Sequence, residues 1–322
     1  MKLLIVTQAV DTNDPVLGFF HRWIEEFAKH CESVEVICLR SGVHALPSTV
    51  RVHQLPASGR LSRTVSFLKL AYVLRGEYDA VFVHMNPEYL LAAGALWKLL
   101  RKKTTLWYTH KSVNLRLRVG VLFADKVCTA SKESFRLRSN KALVMGHGID
   151  TDFFSPSQEE RSDAVLSAGR FSPTKRHDLV LRAGQYFNRP IWYAGEGPES
   201  KRLLELAEKL KLAERVRFLG ARTQRELREL YRRSGVFAHA SETGSMDKVV
   251  LEALLCGLPV VSTSEAFKSL LEPHGLYSSD EPKEFAAALE SAQGRDISAL
   301  GESVRGAHAL SRLIPRILAL YA

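Results

Sequence analysis

Short apolar runs of strand character alternate with amphipathic runs along nearly the whole chain. This alternation restricts the fold more than any single motif does. Strands that are each followed by a helix need crossover connections, so they pair in parallel and are covered on both faces. In the first half, strands are expected at residues 3–7, 34–39, 80–84, 104–110, 126–130 and 142–145, and helices at 19–30, 65–75, 88–100 and 131–138. The polar, proline-bearing stretch 155–163 (SPSQEERSD) interrupts the pattern. It restarts with strands at 165–168, 191–194, 216–219 and 236–240, and with helices after Lys175, at 200–210 and at 226–234. The expected organisation is an α/β chain with domains at 1–155 and 156–305, then a tail, 306–322, whose helical run 307–321 is kinked at Pro315. Two such halves place a ligand cleft outside the carboxyl ends of their strands.

The chain's 322 residues suffice for two hydrophobic cores, and 46% hydrophobic with 25% charged residues is the balance of a globular protein. No apolar run reaches the length of a membrane span. The opening MKLLIVTQAV lacks the pattern of a signal peptide and reads as the first buried strand, so a cytoplasmic location is expected. Cys31, Cys38, Cys128 and Cys256 stand singly in apolar runs, which suggests neither a zinc set nor a disulfide framework. The net charge of +10 calls for an anionic partner. Basic residues cluster at 116–141 and 222–233, without a nucleic-acid-binding motif or interleaved aromatics. A phosphorylated substrate or an anionic membrane surface therefore fits better than nucleic acid.

The densest functional signal lies in residues 241–263, SETGSMDKVVLEALLCGLPVVST. Gly244, Ser245 and Asp247 make a loop, 248–256 an apolar helix, Gly257 its stop, and 260–263 a strand begun by Pro259. Small residues ahead of a helix leave its first N–H groups, at Lys248, Val249 and Val250, facing a ligand such as phosphate. Glu252 is the one acid in that helix and needs a partner when buried, either a sugar diol or a backbone amide.

Other motifs sit at strand ends. Gly169 and Arg170 follow a strand, and Arg170 with Lys175 can converge on one anion, the first as a fork and the second as a point charge; the simpler alternative is a solvated basic loop. Gly195-Glu-Gly197-Pro198 reads as a tight turn, since Ser200 breaks a full dinucleotide fingerprint. Asp150-Thr-Asp152 matches a short acidic pattern, but Asp150 is expected to turn the chain and no metal is assigned. His110 ends a strand where a first-domain active-site residue would sit. Gly18 opens the first helix, either as a close approach to a ligand or as an ordinary helix start.

Taken together, Gly169-Arg170…Lys175, Gly195-Glu-Gly197-Pro198, Arg215-Val-Arg-Phe-Leu-Gly220 and Leu251-Glu252-Ala253…Gly257-Leu-Pro259-Val260-Val261 closely resemble the retaining, nucleotide-sugar-dependent glycosyltransferases of family 4. The first half resembles that family more loosely, through its strand pattern, Gly18, His110 and the turn at 146–150. The resemblance implies the GT-B fold, two Rossmann-like doubly wound domains facing across a cleft, with the last helix returning to the first domain. It implies that Arg170 and Lys175 hold a donor diphosphate, UDP- or GDP-linked for example, with Gly169 and the helix start at Lys248, Val249 and Val250 beside it. Glu252 would bond the ribose, Arg222 would lie near the base, and His110 near the reacting centre. The family's first glutamate falls at Gly244, so that acidic role is vacant, moved, or taken by Asp247.

The expected reaction is retaining, metal-independent transfer of a sugar from a nucleoside diphosphate sugar, with no other cofactor, to a glycan, lipid-linked or other cell-envelope acceptor. Apolar residues interleave with Arg116 and Arg118 at 115–123, so this segment either contacts an anionic membrane peripherally, on its inner face, or packs as an ordinary helix. A nucleotide-sugar epimerase or hydrolase, and a non-catalytic sugar-nucleotide-binding protein, stay open as alternatives.

Overall fold

Lys2–Val10 (β1) illustrates how the sequence builds the layers. In the computed structural model, which describes every residue except Ser58, its Leu3, Leu4, Ile5 and Val6 are all fully buried. Successive strand residues face opposite ways. Leu3 and Ile5 accordingly join one apolar cluster, with Phe20, Trp23 and Phe27, while Leu4 and Val6 join the other, with Phe67, Leu90 and Trp97. A strand buried on both faces has to be apolar where both faces are covered, and residues 3–6 are, while the polar Thr7 and Gln8 follow toward its carboxyl end.

The chain divides into two units, Met1–Gly148 with His308–Ala322, and Ile149–Ala307. The first holds a parallel seven-stranded sheet of β1, β2 (Ser33–Ser41), β3 (Val50–Gln54), β4 (Ala80–His84), β5 (Lys103–Trp107), β6 (Lys126–Thr129) and β7 (Ala142–Val144), in the order β3-β2-β1-β4-β5-β6-β7. Its crossovers include α1 (Phe19–His30), α2 (Arg60–Val73), α3 (Glu88–Leu99) and α4 (Leu115–Phe123). The second unit holds a parallel five-stranded sheet of β8 (Val165–Ala168), β9 (Ile191–Ala194), β10 (Val216–Phe218), β11 (Val236–His239) and β12 (Val260–Ser262), in the order β10-β9-β8-β11-β12. Around it lie α5 (His177–Ala183), α6 (Ser200–Lys209), α7 (Gln224–Arg233), α8 (Lys248–Leu255), α9 (Lys268–Leu271), α10 (Pro282–Ala292) and α11 (Ser298–His308). The last helix, α12 (Leu310–Leu318), lays Leu310, Leu313, Ile314 and Ile317 into the same cluster as the apolar face of α1.

Three expectations need correction, and one strand went unforeseen. The division falls at Gly148 rather than in 155–163, because Ile149 and Phe154 already belong to the core of the second unit. Gly148 has φ +63°, and a Cβ there would lie 2.4 Å from Trp23 Cζ2, so this junction requires glycine. The tail breaks at Ala309, which is extended, and Pro315 lies inside α12 without ending it. No helix forms over 131–138: Ser131 and Ser134 bond each other at 2.9 Å, and the stretch offers no apolar stripe to hold a helix on the sheet, Phe135 being its one buried hydrophobic residue. The short β3, marked only by Val50 and Val52 alternating with polar residues, was not expected.

Candidate active site

In the second sheet the strand order reverses between β8 and β11. Loops leaving adjacent strands at such a reversal diverge and open a crevice at the carboxyl edge, the usual ligand position of a doubly wound sheet. The two loops here are 169–176 and 240–247. They are stitched together: the Glu242 N–H donates to the Thr174 carbonyl at 2.8 Å, and Arg176 pairs with Glu242 and, at 3.2 Å, with Asp280. Arg176 takes the left-handed conformation, φ +49°, which is uncommon for a residue other than glycine and is held by those ion pairs. Arg170 is exposed on the same loop.

Lys175 reaches across the reversal and donates to Asp247 Oδ2 at 2.6 Å. The same oxygen accepts from His239 Nε2 at 2.9 Å. Burial works to raise the Asp247 pKa, but the His239 hydrogen bond and the charges of His239 and Lys175 outweigh it and hold the carboxyl well below its usual range. Behind Lys175 lies His177, whose Nδ1 meets Ser167 Oγ at 3.0 Å. Burial above all, with the neighbouring Lys175 and His239, pushes its pKa down to about 4, so it is neutral at pH 7.

Asp247 is also the N-cap residue of α8, yet its side chain does not cap the helix. Of the first-turn N–H groups expected to face a ligand, that of Val250 turns back onto the Asp247 carbonyl at 3.2 Å, while that of Val249, at the second helical position, is one that an N-cap side chain ordinarily takes and Asp247 does not. Glu252, one turn on, is 4% exposed. Its expected partner was a diol or a backbone amide; the structure supplies the Tyr231 hydroxyl, donating to Oε2 at 3.2 Å from α7. Burial pushes the Glu252 pKa up to about 7 against the opposing effects of Lys248 and Tyr231.

The glycines divide into two kinds. Gly169, at φ +138°, would place a Cβ no nearer than 4.0 Å to any other group, so its front is open. Gly195 and Gly197 instead pack under the loop that follows β8: a Cβ at the first would lie 2.0 Å from the Gly169 carbonyl oxygen, and at the second 2.3 Å from that of Phe171. Gly244 adopts φ +64° in the loop ahead of α8, a conformation glutamate would enter only with strain. Arg222 is engaged locally, donating to Glu226 Oε1 at 2.9 Å beside the Thr223–Glu226 capping box of α7.

Gly18 and His110 belong to the first unit. A Cβ on Gly18 would come within 2.6 Å of the Asp14 carbonyl oxygen, so its own loop already demands glycine. His110 is exposed, and its Nδ1 accepts the Ser112 N–H at 3.1 Å, which places the proton of the neutral ring on Nε2. At the corresponding reversal of the first sheet, between β1 and β4, Gln8 donates to Asn86 Oδ1 at 2.8 Å; sequence reasoning passed over both amides. Asp150 does turn the chain, accepting from the Asp152 and Phe153 N–H groups. No group of His, Cys, Asp and Glu that could hold a metal ion occurs among the described residues.

Two parallel, doubly wound α/β units of this kind make up the GT-B fold. The whole chain superimposes on the crystal structure of Anabaena Alr3699/HepE in complex with UDP and glucose, with a TM-score of 0.78 at 20% identity over 99% of each chain. Residues 148–292 match the family profile described as glycosyl transferases group 1, and that segment belongs to the family. Over 137 residues the chain is 30% identical to a D-inositol 3-phosphate glycosyltransferase of Mycobacterium sp. (strain JLS), covering 38% of this chain and 31% of that protein. Over 149 residues it is 31% identical to a phosphatidylinositol N-acetylglucosaminyltransferase component of Arabidopsis thaliana, covering 42% and 33%. The matched stretch thus spans about a third of the length of these relatives.

Proposed function

We propose that this protein is a nucleotide-sugar-dependent glycosyltransferase whose donor diphosphate lies at the β8–β11 reversal. The observation that carries this reading is the contact, inside a glycosyl transferases group 1 segment, of Lys175 with Asp247 at the start of α8, whose N-cap side chain is turned away, with Arg170 exposed on the same loop as Lys175. Cationic side chains and helix N–H groups stabilise the charge that develops on a departing diphosphate, which is the main electrostatic demand of sugar transfer. No metal is needed for that stabilisation. Glu252, oriented by Tyr231, takes the ribose hydroxyls. Transfer proceeds with retention, the leaving phosphate accepting the acceptor's proton. HepE, solved with UDP and glucose, supports a uridine nucleotide as the first donor to try.

The acceptor is a glycan or lipid-linked sugar of the cell envelope. The phosphatidylinositol in one relative's name supports a lipid-linked acceptor, whereas the D-inositol 3-phosphate in the other's is a small polyol phosphate without a lipid. On α4, Leu115 and Leu122 are exposed beside Arg116 and Arg118 and suit peripheral contact with anionic lipid. No helix among the described residues is long and apolar enough to cross a membrane. Salt-sensitive co-sedimentation with anionic vesicles is expected, and its absence would remove the membrane contact.

The reaction is tested with a panel of UDP-, GDP- and ADP-sugars, reading free nucleotide with and without acceptor extract. Acceptor-dependent release is expected from one of them. Release without acceptor indicates a hydrolase, and binding without release a sensor.

A further inference from the structure

His239 lies at the same end of the sheet and has no role in the reaction as described above. It is the last residue of β11, 5% exposed, with Phe267 edge-on to its ring at 5.5 Å. Both ring nitrogens are engaged. Nδ1 meets Ser262 Oγ of β12 at 2.8 Å, and that hydroxyl in turn accepts the Ser264 N–H at 3.1 Å. Nε2 donates to Asp247 Oδ2, the oxygen that also accepts from Lys175. A chain of fixed contacts therefore runs from β12 through His239 and Asp247 to Lys175.

Asp247 stands where an aspartate ordinarily turns its carboxylate onto the second or third N–H of the helix it precedes. Here it does not, and the two bonds that hold it elsewhere come from His239 and Lys175. A carboxylate in the capping position would fill the first turn of α8 with negative charge, the opposite of what an entering diphosphate requires.

We infer that His239 is a positioning residue for the donor site: it draws the Asp247 carboxylate off the first turn of α8 and, through it, orients Lys175 at the β8–β11 reversal. It acts at one remove from the ligand, since its ring is enclosed and both nitrogens are occupied. The inference rests on the nucleotide-diphosphate reading and adds to it a residue outside the loops.

Calorimetric titration of the full chain with inorganic pyrophosphate and with UDP tests this. The side chain of His239→Asn is too short to reach Asp247, and the variant is expected to lose about tenfold in affinity for both ligands, as expected when a charge-assisted contact is misplaced, in titrations run below its melting temperature, which the lost buried hydrogen bond lowers. His239→Gln, whose longer amide can donate to Asp247, is expected to recover most of that loss. A purely structural histidine would lower the melting temperature in both variants without separating their affinities. Equal pyrophosphate affinity in His239→Asn and the parent would overturn the inference and leave the donor site standing. A parent chain that binds neither ligand would overturn both. Hydrogen exchange gives a readout that needs no variant: the Val249 amide should exchange freely in the ligand-free chain and become protected by pyrophosphate. A protected Val249 amide without ligand would also overturn the inference.

Discussion

A single oxygen, Asp247 Oδ2, accepts from Lys175 and from His239, which fixes this carboxylate between two basic side chains. Its acid–base behaviour and that of His177 set an expected pH dependence. Folding holds His177 neutral down to about 4, against 6.5 for a free imidazole. Between those values the unfolded chain binds a proton that the folded chain refuses, so stability is complete above 6.5 and falls as the pH drops toward 4. Asp247, lowered on folding, adds its loss below the ordinary carboxylate range, in the same direction. Urea unfolding followed from neutral pH down to about 4 should show this slope, and His177→Asn should flatten it. Tyr231→Phe should cost about 1–3 kcal/mol, because it strips a hydrogen bond from the buried Glu252; the same urea curves measure it. Arg170→Ala should abolish most transfer while leaving the unfolding curve in place. Arg170, Lys175 and Glu252 could be proposed from the sequence because charged residues beside glycine turns and in an apolar helix stand out in a linear sequence. His239 and Tyr231 were not: each sits in an apolar or helical run, and each finds its partner in a different element.

At the scale of elements, the glycine turns are turns as their spacing implies, but their cause lies elsewhere. Gly195 is needed because β9 ends beneath the loop that follows β8, a contact between separate strands that local sequence does not reveal. Gly195→Ala combines φ +155° with a Cβ 2.0 Å from the Gly169 carbonyl oxygen. The backbone strain alone is worth about 1–3 kcal/mol, so the variant should melt earlier and bind pyrophosphate poorly. The basic cluster at 116–141 was legible as charge but not as structure. Lys141 Nζ donates to the Val121, Leu122 and Ala124 carbonyls and Lys98 to that of Leu122, so two cations stabilise the C-terminal end of α4. Arg116 pairs with Glu88 at 3.0 Å. The false helix at 131–138 came from the same cluster, whose charged residues favour a helix locally but give it no face to bury.

Across the whole molecule, the doubly wound pattern of each half was legible, because strand and helix periods repeat through both sheets, whereas the expectation that the last helix returns to the first unit came from the family resemblance alone. The junction was misplaced, since the polar stretch 155–163 is a surface connection inside the second unit rather than the link between units. The return of α12 has a mechanical consequence. It buries Leu310, Leu313, Ile314 and Ile317 with Trp23 and Phe27, at about 1.5–3 kcal/mol for each aliphatic side chain. Ending the chain at His308 should therefore leave the first unit unfolded or aggregated, as circular dichroism and limited proteolysis would show. The central claim is where the donor diphosphate binds, and a crystal structure with UDP tests it most directly. The account predicts phosphate oxygens within hydrogen-bond distance of Lys175 Nζ, the Arg170 guanidinium and the Val249 N–H. A nucleotide bound elsewhere, with no phosphate oxygen near Lys175 and the first turn of α8 empty, would contradict it.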